Sequence, residues 1–142
     1  METDDPYFRP SLEALARVEA PTDLIVSGYL RKSRTFAVYG RAMPALGIPG
    51  TYRPYELPRR DGGPDLDGLA AFLRVFAANP ALRSLVVSDP YKLAVAGLVD
   101  RPDASAAQVG AVNLVVKEVG ATVGYTIDGD AFVLGAAGER GL

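Results

Sequence analysis

The sequence predicts an α/β fold: a single domain built on a mostly parallel mixed sheet with helices on both faces. Three observations carry this. Strand-like segments alternate with segments of helical periodicity along the chain. Two strand-like segments, around Leu24-Ile25-Val26 and Leu85-Val86-Val87, are continuous apolar runs, the pattern of strands covered on both sides. The length of 142 residues suits one core rather than two.

Taken in order, residues 1 to 10 are polar and proline-punctuated and are expected to form a loose arm. Ser11 is placed to cap a short helix carrying Leu12, Leu15, Ala16 and Val18, which stops before Pro21. Asp23 to Gly28 is the first buried strand. A basic loop, Arg31-Lys32-Ser33-Arg34-Thr35, leads to a helix from Phe36 to about Leu46, ended by Gly47 and Pro49. Thr51 to Leu57 has strand character, but Pro54 cannot donate to a ladder, which assigns the segment to an edge. Pro58 to Pro64 is a loop containing Arg59, Arg60, Asp61, Gly62 and Gly63. In Asp65 to Asn79, Leu66, Leu69, Phe72, Leu73 and Phe76 recur at three- and four-residue intervals, so this is the clearest helix, with Leu69, Phe72, Leu73 and Phe76 expected in the core. Short helices are expected at Pro90 to Leu98 and Ala104 to Val109, neighbouring strands at 111–117 and 121–124, and a final helix from Asp128.

Composition removes several function classes. The chain has no cysteine and no histidine, so thiol chemistry, a Ser-His-Asp triad and a zinc site of the usual kind are excluded, and no metal is expected. A net charge of −2 gives no overall positive field, so neither nucleic acid nor an anionic membrane is an expected partner. No apolar run approaches a membrane span, and the acidic start lacks a signal-peptide pattern, which makes the cytoplasm the expected location. No G-x-G-x-x-G turn occurs, so no dinucleotide fingerprint is present.

Four segments carry residues suited to chemistry. In Ser27-Gly28-Tyr29-Leu30-Arg31-Lys32-Ser33-Arg34-Thr35, hydroxyls and amides at a helix start complement an anion, although Thr35 could equally be a helix cap on a solvated basic loop. In Val86-Val87-Ser88-Asp89-Pro90-Tyr91-Lys92, Ser88 or Asp89 is expected to cap a helix with Pro90 at its first position. Lys92 then sits in a first turn, where the helix dipole disfavours a cation. It either reaches water, pairs with Asp89, or serves a function that supplies a counter-charge. In Val109-Gly110-Ala111-Val112-Asn113-Leu114, the asparagine is a poor strand former that needs its amide satisfied. In Gly124-Tyr125-Thr126-Ile127-Asp128-Gly129-Asp130-Ala131-Phe132, Asp128 stands where a helix cap is common.

Together and in this order, over roughly Leu24 to Leu134, the four segments resemble the substrate-binding N-terminal domain of the shikimate/quinate dehydrogenase family. The family patterns are a pair of hydroxyl residues one apart, Asn-x-Thr-x-Pro-aromatic-Lys, Gly-Ala-x-Asn-Thr, and Gly-x-Asn-Thr-Asp-Gly-x-Gly-Phe. Pro90, Lys92, Asn113, Gly124, Asp128, Gly129 and Phe132 match. The chain departs from them at Lys32 (usually histidine), Phe36 (proline), Val86 (asparagine), Leu114 (threonine), and Thr126-Ile127 (Asn-Thr).

The resemblance implies that Ser33 and Thr35 hold a substrate carboxylate and that Ser88 and Asn113 bind ring hydroxyls. It implies further that Lys92 and Asp128 form the catalytic pair, meeting across one pocket. The ligand implied is a shikimate- or quinate-type polyol carboxylate, and the reaction an oxidation by NADP or NAD. In the family a C-terminal nucleotide-binding domain follows. The sequence ends at Gly138-Glu139-Arg140-Gly141-Leu142, where that domain would begin. The expectation is therefore the substrate domain of an oxidoreductase, inactive alone and binding no cofactor itself. The alternative is a stand-alone, non-catalytic small-molecule binding or regulatory module of the same fold.

Overall fold

The computed structural model describes residues 10–30 and 34–140. Helix α1 (Leu12–Ala16) begins at Ser11, whose side chain accepts the Ala14 N–H, the cap the sequence predicts. Strand β1 (Thr22–Ser27) follows, then α2 (Arg34–Ala45), β2 (Thr51–Glu56), α3 (Leu66–Ala78) and β3 (Leu82–Val87). The remaining elements are α4 (Lys92–Ala96), β4 (Arg101–Pro102), α5 (Ala104–Val109), β5 (Leu114–Glu118), β6 (Ala121–Tyr125) and α6 (Asp128–Arg140). Of the expected N-terminal arm, residues 1 to 9 lie outside the described residues.

The strands form one sheet in the order β2-β1-β3-β5-β6-β4. The β1/β2, β1/β3 and β4/β6 pairs are parallel; β5 runs antiparallel to both β3 and β6. The sheet is thus mixed and mostly parallel, as the sequence predicts. Pro54 sits on β2, an edge strand, where its missing N–H costs no ladder bond.

The two faces are covered unequally. Leu24, Leu85 and Val115 lie in register on one face and pack with Leu69, Phe72 and Phe76 of α3, Leu15 of α1 and Val95 of α4. The four α3 residues expected in the core are buried, and the Phe72 ring stacks on Tyr55 at 4.3 Å between centroids. The cap of α3 is Asp65, accepting the Gly68 N–H at 2.9 Å. On the opposite face α2 lies over an apolar groove of about 190 Å³ that contains Val86 and Leu114. These two residues are cross-strand partners. Where the resemblance leads one to expect asparagine and threonine, the two positions thus form an apolar pair on a shared wall.

Polarity along the strands decides where the site lies. Strands β1, β3 and β6 deliver their carboxyl ends to one end of the sheet. Because β5 runs the other way, its first residues arrive at that same end. Between β1 and β3 the chain order reverses, with β2 outside β1 on one side and β3 on the other, and such a switch point opens a crevice in α/β sheets.

Candidate functional site

At that crevice lies a polar cleft of about 500 Å³. Its walls include Ser27 and Gly28 from the end of β1, Thr35 from the first turn of α2, and Ser88 from the end of β3. Arg34, Arg59 and Asp89 bring two guanidiniums and one carboxylate. Thr35 is the second residue of α2, inside the helix, and so is not its N-cap. Ser33, with Arg31 and Lys32, falls outside the described residues.

The turn after β3 differs from the sequence expectation. Neither Ser88 nor Asp89 caps the next helix, and Pro90 is not its first residue. Helix α4 starts at Lys92, its N-cap is Tyr91, and no side chain caps it. The chain first closes a turn in which the Tyr91 N–H donates to the Ser88 carbonyl at 3.0 Å. The Asp89 carboxylate is drawn away from the helix by Arg59, at 2.8 Å. The fully buried Tyr91 anchors the start of α4: its hydroxyl donates to the Leu57 carbonyl at 2.7 Å and accepts the Asp65 N–H at 3.3 Å.

Anchored in this way, Lys92 projects toward the loop after β6. Its Nζ lies 2.6 Å from Asp128 Oδ2, although the two residues are 36 apart in sequence. The counter-charge of Lys92 is thus Asp128, and Asp89 pairs with Arg59 instead. The Lys92 ammonium beside it holds the Asp128 carboxyl below the usual aspartate range, with the Asn113 amide as the next cause and partial burial opposing both.

Asn113, buried at the start of β5, fixes the backbone on either side. Its N–H donates to the Tyr125 carbonyl, its carbonyl accepts the Val87 N–H, and its Oδ1 accepts the Ile127 N–H at 3.0 Å. The Nδ2 of the same side chain is buried and completes no hydrogen bond of ordinary geometry among the described residues. It influences Asp128 while keeping donor capacity in hand. Neighbouring Gly124 is a packing requirement, since a Cβ there would come within 2.6 Å of Val112 Cγ2.

The expected residues therefore fall into two groups joined by the Ser88–Lys92 turn. Thr35 and Ser88 line the cleft; Lys92, Asn113 and Asp128 cluster beside the ends of β5 and β6 and are not among the cleft's described walls. Two cleft residues have no assigned role in the sequence: Arg59, a loop residue, and Ser27, which opens the first motif segment and ends β1. No motif role falls on either; Arg59 lies three residues past the end of β2, and Ser27 is the last residue of β1.

Comparison with known proteins decides the family. The pattern of the shikimate dehydrogenase substrate binding domain matches residues 25–115, well over half of the chain. The chain belongs to this family. The matched span includes Ser33, Thr35, Ser88, Lys92 and Asn113, and stops short of Asp128. A shikimate dehydrogenase (NADP(+)) of Rubrobacter xylanophilus is 30% identical over 132 residues, 91% of this chain and 43% of the relative. Another from Sphingopyxis alaskensis is 29% identical over 114 residues, 80% of this chain and 39% of the relative. The chain thus spans about two fifths of the length of these relatives.

Among solved structures, shikimate 5-dehydrogenase of Thermus thermophilus in complex with NADP(H) and shikimate superposes with a TM-score of 0.70 at 25% identity, covering 85% of this chain and 42% of that one. The Listeria monocytogenes enzyme in complex with shikimate and NAD gives 0.69 at 26% identity, covering 86% and 39%. Among the described residues no helix is long and apolar enough to cross a membrane.

Proposed function

We propose that this chain is the substrate-binding half of an NADP-dependent shikimate-type dehydrogenase and that its ligand is a hydroxylated six-membered-ring carboxylate. The observation that carries the reading is the Lys92–Asp128 pair at 2.6 Å, assembled from segments 36 residues apart at the carboxyl end of the sheet. Thr35, with Ser33 preceding it, receives the carboxylate. Ser88 and the spare Asn113 amide donor bind ring hydroxyls. Lys92 Nζ hydrogen-bonds the reacting hydroxyl and exchanges its proton, while Asp128 orients the ammonium and balances its charge.

None of the six strands among the described residues is followed by a glycine-rich G-x-G-x-x-G turn. The residues present do not fit a dinucleotide in the usual way, and the roles derived for them stop at substrate and proton.

The test is a titration of shikimate into the chain, followed by NMR. The wild type is expected to bind weakly, with shifts at Thr35, Ser88 and Asn113. Lys92→Ala is expected to weaken binding about ten-fold or more, the worth of one charge-assisted hydrogen bond. Equal binding by the two proteins would overturn the assignment of the site and leave the family membership standing.

A further inference from the structure

We infer that Glu56 is a positioning residue for the Gly28–Leu30 loop segment that walls this cleft. The inference rests on the functional reading above and adds a residue that the four motif segments do not include.

This loop segment leaves β1 at Ser27 and is described as far as Leu30, and its Gly28 and Tyr29 line the cleft together with Thr35. Its first three backbone N–H groups are all taken. Gly28 donates to the Asp89 carbonyl at 2.9 Å, Tyr29 to the Ser27 hydroxyl at 3.2 Å, and Leu30 to Glu56 Oε2 at 2.8 Å. The first two bonds tie the loop to its own strand end and to the turn before Lys92. The third is the tie to β2, and it comes from a side chain 26 residues away.

Glu56 is well placed to act as a strut. It is the last residue of β2 and pairs in register with Ser27, the last residue of β1, and the Leu57 N–H donates to the Ser27 carbonyl at 2.8 Å. Its carboxylate is half-buried and Leu30 beyond it is fully buried. A carboxylate accepting a backbone N–H makes a shorter and stronger bond than a neutral pair, and without it a partly buried donor is left unmatched. A cleft wall built on a loop segment binds well only if that segment is already held in its bound form, because ordering it on binding costs affinity.

Glu56→Gln keeps an acceptor oxygen at the same reach, whereas Glu56→Leu keeps only bulk. Amide hydrogen exchange at Leu30 and shikimate affinity, both by NMR, are measured on wild type and the two variants, with thermal melting as the fold control. The expected result is faster Leu30 exchange and about ten-fold weaker shikimate binding in Glu56→Leu. Both are restored toward wild type in Glu56→Gln, and exchange in α3 is unchanged. Unchanged Leu30 exchange in Glu56→Leu overturns the inference, and so does faster exchange with unaltered affinity. A Glu56→Gln variant as impaired as Glu56→Leu also overturns it. If the wild type itself binds no shikimate, the functional reading fails and the inference falls with it, an outcome told apart by the wild-type titration alone.

Discussion

Asp128 is a surface carboxylate whose acidity reports on its partners. Lys92 contributes the larger influence and Asn113 the smaller, both favouring the ionised form over the ordinary value of 3.8. Because the folded pKa lies below the unfolded one, the stabilisation from ionising Asp128 is complete above about pH 4. It is lost as pH falls through the lower folded value. Lys92→Ala is expected to return the Asp128 carboxyl toward the ordinary range, and Asn113→Ala to raise it by less. A carboxyl-carbon NMR titration of the three proteins checks this; an Asp128 curve that ignores Lys92→Ala would mean that the pair is not populated in solution. Most of this arrangement was legible in the sequence, since the order of the motifs named Lys92, Asn113 and Asp128 before any geometry was known. Glu56 and Arg59 were not legible, because each acts on a residue brought near only by the fold, Leu30 in one case and Asp89 in the other. No local pattern marks such a residue.

At the scale of elements, periodic segments were read well and their ends less so. Helix α3 follows from its apolar spacing, while α5 ends at Gly110, which adopts a φ of 74°. Strand β4 has only two residues, Arg101 and Pro102, and exists because β6 offers a free edge, which sequence cannot show. The start of α4 was misplaced because Ser88 and Asp89 are good caps in isolation, and Arg59 outcompetes the helix for the carboxylate. The β5–β6 hairpin holds a conflict of another kind. Its two turn residues, Val119 and Gly120, have φ of 34° and 76°. Such turns favour Asn-Gly, and a β-branched residue with positive φ is strained by about 1 kcal/mol or more. Val119 is also wholly exposed, so its side chain returns nothing in packing. Val119→Asn is expected to stabilise the protein by about 1 kcal/mol and raise Tm by about 3 °C, read from thermal melts. An unchanged or lower Tm would show that the turn is not strained in solution.

For the molecule as a whole, the fold class was legible because alternation of periodicities survives tolerance at individual positions. The unequal covering of the sheet was not, since apolar runs alone imply burial on both faces. The same global view bears on activity. The chain carries the residues proposed for the substrate side and no dinucleotide turn, and its relatives are more than twice as long. Shikimate supplied with NADP to the pure 142-residue chain is therefore expected to give no reduced cofactor above a protein-free control. Measurable turnover would place the cofactor on residues assigned here to structure. The polarity of the sheet has a practical corollary. Every described residue proposed to touch ligand gathers at one end, and the Val119–Gly120 turn projects from the other. That turn is the natural place to attach a fluorophore or a surface tether. A protein immobilised there would present its cleft outward, toward the solution being sampled.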